Sequence, residues 1–134
     1  MIYDLLIVDD QAGVRLFLSE AFSEAGYNVE TASNGAEAVE KACARPPSLI
    51  LLDFRMPGMS GLETLGELRK IVPDAPVIMV TAFKDHEIID EIKEKGADYC
   101  ISKPFDLHEI RALVKGLLVK EEEGGSYEKQ QSER

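Results

Sequence analysis

The chain has 134 residues, enough to bury one hydrophobic core, and we expect a single domain. Its formal net charge of -10 repels nucleic-acid phosphate and therefore disfavours direct binding to DNA. No apolar run approaches the ~20 residues of a membrane span, and no secretory signal opens the chain, so we expect a cytoplasmic protein away from membranes. Cys43 and Cys100 fit no metal or redox spacing and are expected to be free thiols.

Five short apolar runs predict buried strands. In chain order they cover residues 5–8, 29–31, 49–53, 77–80 and 99–102. Unbroken aliphatic runs such as Leu49-Ile50-Leu51-Leu52 suit parallel strands that are covered on both faces.

Between these strands, apolar residues recur at helical spacing. The expected apolar face of the first helix consists of Val14, Phe17, Leu18, Ala21, Phe22 and Ala25. Gly26 and Gly96 are expected to end the first and fourth helices. Asn34 and Ser60 each precede a glutamate by three residues, which predicts N-caps for the second and third helices. The fourth helix is predicted to begin at about residue 85, and Asp106 to cap the fifth.

Strands alternating with helices predict an α/β fold with a five-stranded parallel sheet. Of the common doubly wound arrangements, five strands fit the flavodoxin-like order 2-1-3-4-5. The helical pattern stops after Lys120. We therefore predict one domain over residues 1–120 and a disordered acidic and polar tail over residues 121–134.

Polar residues follow four of the strands at their carboxyl ends, where open α/β sheets build their sites. They are Asp9 and Asp10, Asp53, Thr81, and Lys103. Clustered carboxylates raise one another's proton affinity unless a cation is present, and oxygen-only ligands suit Mg²⁺. A lysine and a hydroxyl beside them can hold the oxygens of a phosphoryl group. We expect Asp53 to be the nucleophile that accepts that group.

Each of these residues also has a purely structural interpretation. Asp9 and Asp10 can form a turn and a helix cap, Thr81 can cap a strand end, and Lys103 can be an exposed lysine before a proline. The occurrence of all five at strand carboxyl ends favours a shared site over five separate coincidences.

Four motifs together resemble the receiver domain of two-component response regulators over about residues 4–119. They are Asp9-Asp10, Asp53-x-x-Met-Pro-Gly-x-x-Gly61, Thr81-Ala82 and Lys103-Pro104-Phe105. The resemblance implies that Asp53 takes phosphate from a phosphohistidine, and that Thr81 and Lys103 contact the phosphoryl oxygens. It also implies a cis bond between Lys103 and Pro104. The Mg²⁺ ligands it implies are Asp9 or Asp10, Asp53 and the Arg55 backbone carbonyl.

Other local motifs are similar to those of single-domain phosphorelay receivers of sporulation initiation in endospore-forming bacteria. They include Asp-Asp-Gln11-x-Gly13-Val14-Arg15 and Lys-Pro-Phe105-Asp106-x-x-Glu109-Ile110-Arg111. This similarity implies a sensor histidine kinase as phosphoryl donor and a histidine phosphotransferase of the four-helix-bundle type as acceptor. Implied partner contacts are Gln11, Gly13, Val14, Phe17, Pro104 and Phe105. For Phe17, the hydrophobic core is the expected location.

Three further positions are expected to tune the site. Many receivers carry an aromatic residue three positions before the lysine, where this chain has Cys100, and the small side chain favours a carrier over an aromatic switch. Tyr99 is adjacent and should point to the opposite face of its strand. Arg55 and Phe83 lie two residues beyond Asp53 and Thr81, and we expect them to hinder attacking water.

The favoured function is a monomeric phosphorelay receiver that catalyses its own aspartyl phosphorylation and dephosphorylation, without turnover of a small molecule. One alternative is a chemotaxis-type receiver that binds a target when phosphorylated. An aspartyl-nucleophile phosphohydrolase is disfavoured because Arg55 stands where that class has a second aspartate. A further alternative is that this receiver is part of a longer DNA-binding regulator.

Overall fold

The computed structural model describes residues 3–82 and 86–123, which divide into two compact units, the first ending at Pro104 and the second beginning at Phe105. The five strands are β1 (Asp4–Val8), β2 (Asn28–Ala32), β3 (Leu49–Asp53), β4 (Val77–Thr81) and β5 (Tyr99–Ser102). The helices are α1 (Ala12–Glu24), α2 (Gly35–Ala44), α3 (Gly61–Ile71), α4 (His86–Glu94) and α5 (Leu107–Glu123). All strand pairs are parallel, and the sheet order β2-β1-β3-β4-β5 confirms the predicted topology.

The centre of the sheet is apolar on both faces, since every residue of β3 and β4 is buried. Side chains from one face of the sheet and from the helices α2, α3 and α4 form a single hydrophobic core cluster. Its members include Leu6, Val8, Ile50, Leu52 and Met79 from the strands, with Ala38, Leu65, Leu68 and Ile92 from the helices. The alternate strand residues Leu5, Ile7 and Leu51 are buried on the opposite face.

The apolar face of α1 is narrower than predicted. Leu18 and Phe22 are buried, whereas Phe17 is 51% exposed, so the expectation that Phe17 lies in the core was wrong. At 3.6 residues per turn, Phe17 lies about 120° around the helix from the midpoint of Leu18 and Phe22. Ala25 is also exposed, because it is the C-cap of α1 rather than part of its packed turns. Phe17 therefore forms an exposed apolar pair with Leu16, which is 61% exposed.

The predicted helix caps are present. The Asn34 side chain accepts a hydrogen bond from the Glu37 backbone N–H at 2.8 Å. Ser60 and Glu63 form a reciprocal capping box, with both bonds at 3.1 Å. Each cap satisfies backbone donors that the first turn of a helix leaves without partners. The predicted start of α4 at residue 85 lies outside the described residues, and the helix is described from His86.

The second unit contains α5. The Asp106 carboxylate accepts a hydrogen bond from the His108 backbone N–H at 2.8 Å, and the buried residues are Ile110, Val114 and Leu118. The helix extends to Glu123, past the predicted end at Lys120, because glutamates are good helix formers. The rest of the predicted tail lies outside the described residues. None of the described helices has the length and apolar character needed to span a bilayer.

Candidate functional site

The carboxyl ends of the strands bring the predicted site residues to one edge of the sheet. β3 lies between β1 and β4, so Asp53 at its end is flanked by the ends of both neighbours. A cleft of about 540 Å³ opens at this edge. It is lined by Asp10, Gln11, Asp53, Arg55, Thr81, Ala82 and Lys103.

Three carboxylates form the acidic part of this cleft. Oxygen atoms of Asp9, Asp10 and Asp53 all lie within 4.8 Å of one another. Asp9 and Asp53 are each only 4% exposed, whereas Asp10 is exposed. Burial, and then the neighbouring charge of Asp9, raises the pKa of Asp53 to about 6, although Lys103 partly offsets both effects. The cluster is therefore short of positive charge.

Lys103 supplies the positive charge that the structure places beside these carboxylates. Its Nζ lies 3.2 Å from Asp53 Oδ1 and 3.6 Å from Asp9 Oδ2. Its backbone N–H donates to the Thr81 carbonyl at 2.8 Å, which joins the residue after β5 to the end of β4. The Lys103–Pro104 peptide bond is cis, as the family resemblance implied. Thr81 is buried at 2% exposure.

Asp9 has both of the roles considered for it: it stabilises the turn before α1, and it belongs to the carboxylate cluster. Its Oδ1 accepts a hydrogen bond from the Gln11 backbone N–H at 2.9 Å, which forms a local turn before α1. Its carbonyl accepts a hydrogen bond from Arg15 Nη1 at 2.7 Å. The second carboxylate oxygen, Oδ2, is the one that faces Lys103. Sequence reasoning did not foresee the Arg15 bond, because a carbonyl acceptor leaves no residue-type signal.

The loop after β3 packs tightly against the Asp53 backbone. Gly61 donates its N–H to the Phe54 carbonyl at 3.0 Å. A Cβ at Gly61 would lie 2.7 Å from the Asp53 carbonyl oxygen and from Phe54 backbone atoms. Only glycine allows this approach, since those neighbours are backbone atoms that cannot turn aside. The motif contained Gly61, but its spacing alone did not reveal what the residue touches.

The remaining predicted residues lie in different surroundings. Arg55 is exposed and lines the cleft, whereas Phe83 lies outside the described residues. Cys100 is half-buried against the core cluster, and burial raises the pKa of its thiol. Tyr99 is 41% exposed, as expected from its opposite strand parity. For the predicted partner contacts, the structure leaves Gln11, Gly13 and Pro104 exposed, and Val14 and Phe105 half-buried.

A doubly wound parallel sheet with clustered carboxylates, a threonine and a lysine at its carboxyl edge defines a class of phosphoacceptor signalling domains. The comparison with protein families places the chain within that class. Residues 5–115 match the model of the response regulator receiver domain, and the chain belongs to this family. It is therefore the receiver domain of a two-component response regulator.

Individual relatives include both single-domain and longer proteins. The chain is 43% identical over 114 residues to sporulation initiation phosphotransferase F of Bacillus subtilis, covering 85% of this chain and 92% of that protein. It is 39% identical to the DNA-binding transcriptional regulator NtrC of Escherichia coli, but spans only 23% of that relative. The solved chemotaxis protein CheY4 of Vibrio cholerae superimposes with a TM-score of 0.82 at 32% identity, covering 86% of this chain and 98% of that one.

Proposed function

We propose that this protein is a phosphorelay receiver. It accepts a phosphoryl group on Asp53 from the phosphohistidine of a sensor histidine kinase and passes it to a histidine phosphotransferase of the four-helix-bundle type. The observation that carries the proposal is the position of Asp53, buried in the carboxylate cluster with Lys103 Nζ 3.2 Å away.

The transfer exchanges one bond to phosphorus for another. An Asp53 carboxylate oxygen forms a bond to phosphorus while the bond from phosphorus to the donor imidazole nitrogen breaks. The imidazole nitrogen keeps the electron pair and takes a proton from water. Onward transfer is the reverse reaction with a second histidine. Such steps need mainly positioning and neutralisation of charge, and Lys103 with the Thr81 hydroxyl would contact the phosphoryl oxygens.

The donor set at the cleft fits a magnesium ion. Asp9, Asp10 and Asp53 provide only oxygen ligands, and their close approach leaves negative charge that Lys103 does not fully neutralise. These carboxylates would hold the ion together with the Arg55 backbone carbonyl. When bound, Mg²⁺ supplies charge neutralisation at the phosphoryl oxygens. Thr81 and Lys103 would then orient the phosphoryl group.

Two features favour onward transfer over a built-in output. Cys100 replaces the aromatic residue that many receivers carry at this position, and it is half-buried beside the core rather than exposed. The relative that shares 43% identity is named a phosphotransferase, and the chain covers 92% of its length. Gln11 lines the cleft, and the exposed Gly13 and Phe17 follow it in α1, so the first half of this helix offers a surface for the helices of a partner.

The relay is tested by following one labelled phosphoryl group through three proteins. A sensor kinase is labelled, mixed with this protein and Mg²⁺, and then with a histidine phosphotransferase. We expect label on this protein and then on the phosphotransferase, and neither when Asp53→Asn replaces the wild type. Asp74→Asn, an exposed loop substitution, serves as the matched control and should relay normally. Label that reaches this protein but never a second histidine would contradict the relay.

A chemotaxis-type receiver is the second candidate, favoured by the structural likeness to CheY4 over 86% of this chain. Such a protein would be phosphorylated in the same way but would bind a target and pass nothing on. The third protein in the relay experiment separates the two functions.

Arg55 and Phe83 are proposed to protect the acylphosphate from water. Arg55 lines the cleft, which supports its part of the proposal. We expect Arg55→Ala and Phe83→Ala each to shorten the lifetime of phosphorylated protein severalfold. Unchanged lifetimes in both variants would refute the idea.

A further inference from the structure

Arg69, in the last turns of α3, joins two loops at the amino end of the sheet. Its side chain is 20% exposed. Nη1 donates to the Ala75 carbonyl at 2.5 Å, in the loop before β4. Nε and Nη2 donate to the Gly96 carbonyl at 3.0 and 2.6 Å, in the loop before β5. Nη2 also contacts Asp98 Oδ2 at 2.7 Å. One guanidinium thus holds both loops.

Asp98 extends this contact into the sheet. Its Oδ2 accepts a hydrogen bond from the Val77 backbone N–H at 2.8 Å, and its own N–H donates to the Val77 carbonyl at 2.9 Å. Val77 begins β4, and Asp98 immediately precedes β5. The Asp98 side chain therefore supplies one rung of hydrogen bonding where the strand pair begins, and Arg69 fixes the orientation of that side chain.

β5 has few apolar contacts that would set its register by themselves. It is an edge strand of four residues, of which Ile101 alone is buried, whereas every residue of β4 is buried. Register is specified strongly where a strand buries one face and weakly where it does not. A slip by one residue would displace the end of β5 by about 3.3 Å and turn its side chains to the opposite face.

The residue placed by this register is Lys103. Its N–H donates to the Thr81 carbonyl at 2.8 Å, at the opposite end of the strand pair from the Asp98 bonds. With β5 in this register, its Nζ lies 3.2 Å from Asp53 Oδ1. We propose that Arg69 and Asp98 are positioning residues, which fix β5 on β4 and thereby hold Lys103 at the phosphoacceptor. The consequence for phosphoryl transfer rests on the proposed function.

The experiment compares both ends of β5 in Asp98→Ala and Arg69→Met, the second of which keeps an unbranched side chain for packing. Arg45→Ala is the matched control, because Arg45 pairs with Asp4 at the amino end of the other half of the sheet. Amide hydrogen exchange of Lys103 reports its bond to Thr81. The rate of phosphorylation by acetyl phosphate at saturating Mg²⁺ reports the position of its side chain. Both are measured where circular dichroism shows each variant folded.

We expect Asp98→Ala and Arg69→Met to lower protection of the Lys103 amide at least about tenfold and the phosphorylation rate about five- to tenfold, since small misplacements of catalytic groups are costly. Arg45→Ala should leave both within about twofold of wild type, because exposed ion pairs contribute little. Asp98→Asn keeps an acceptor for Val77 and should recover part of both losses. A purely structural role would instead raise exchange equally across the whole sheet.

Unchanged protection of Lys103 in Asp98→Ala would overturn the proposal. Lost protection with an unchanged phosphorylation rate would overturn it as well, because the register would then not control the site. Failure of the wild type to accept phosphate would contradict the proposed function instead. In that case the exchange of the Lys103 amide alone decides whether the clamp positions this residue.

Discussion

The charged side chains at the two ends of the parallel sheet are arranged differently: they are paired at the amino end and clustered with excess negative charge at the carboxyl end. At the amino end, Asp4 pairs with Arg45 at 3.1 Å, and Asp98 pairs with Arg69 at 2.7 Å. At the carboxyl end, Lys103 contacts two carboxylates of a cluster of three. The same backbone geometry therefore supports a neutralised edge and an edge with excess negative charge.

The difference separates stability from function. Charges at the amino end find partners and fix loops, so their removal should cost stability. The carboxyl end keeps three like charges together, two of them on buried side chains, which is unfavourable until a cation is bound. Removing a paired charge at the amino end should therefore lower the free energy of unfolding, whereas removing one carboxylate of the cluster at the carboxyl end should raise it.

Gly61→Ala should have the largest effect on stability, by forcing volume into the loop behind Asp53. A Cβ would lie 2.7 Å from backbone atoms, and overpacking of this kind costs roughly 1–3 kcal/mol. Urea unfolding measures the loss. Gly66→Ala is the control, because a Cβ there meets nothing within 4 Å and alanine favours the helix. Equal stability of the two variants would show that the loop after β3 can shift to accommodate a methyl group at position 61.

Arg69→Ala should follow, at about 2 kcal/mol, because several carbonyls lose a charged donor. Arg45→Ala, at the same end, should cost well under about 1 kcal/mol, since its ion pair is exposed. Thermal unfolding of both variants gives the comparison. If Arg45→Ala were the more damaging, the ion pairs at the amino end would not be ranked by burial.

Asp53→Asn should stabilise the protein in the presence of EDTA at neutral pH. Removing one of three clustered carboxylates relieves repulsion, and the raised pKa of Asp53 is consistent with a gain of about 1 kcal/mol. The melting temperature measures the gain. Asp74→Asn, an exposed aspartate before β4, should change it little. A lower melting temperature for Asp53→Asn would mean that this end of the sheet is not under electrostatic strain.

Glu37 provides a contrast with the carboxylate cluster. It also lies beyond the carboxyl end of a strand, β2, but its carboxylate accepts a hydrogen bond from the Ser33 backbone N–H. This bond from the Ser33 backbone N–H lowers the pKa of Glu37 below its usual value. Its stabilisation is thus fully present above the unfolded pKa and is lost as the pH falls through the folded value. Glu37→Gln should lower the stability slightly at neutral pH, since the side chain is partly exposed to solvent, and should have no effect in acid. Unfolding at several pH values tests this, with Glu40→Gln as control, and a cost independent of pH would contradict it.

Most of the fold was predictable, because buried parallel strands and capped helices leave local patterns in the sequence. The apolar runs of β3 and β4 are unbroken in the sequence. Asn34 and Ser60 are residue types that commonly cap helices, and they predicted where α2 and α3 begin. The members of the carboxyl-edge cluster were also predictable, since each one ends or follows a strand. Phe17 was placed wrongly because its spacing suits a broad apolar face, whereas only a narrow stripe of α1 is buried.

Long-range polar contacts could not be foreseen from the sequence. Arg69 reaches Gly96 across 27 positions of sequence, and no motif near either residue indicates that contact. The hydrogen bond from Arg15 to the Asp9 carbonyl could not be predicted either, because every residue has a backbone carbonyl that can accept such a bond. The close approach of Gly61 to Asp53 likewise depends on how the loop folds back over β3.

The most direct test of the central assignment is the intact mass of the protein after incubation with acetyl phosphate and Mg²⁺. We expect the wild type to gain one phosphoryl group, with the modification mapped to Asp53 after trapping of the acylphosphate, and Asp53→Asn to gain none. A wild type that gains no mass, or an Asp53→Asn variant that gains as much, would contradict the assignment of Asp53 as phosphoacceptor.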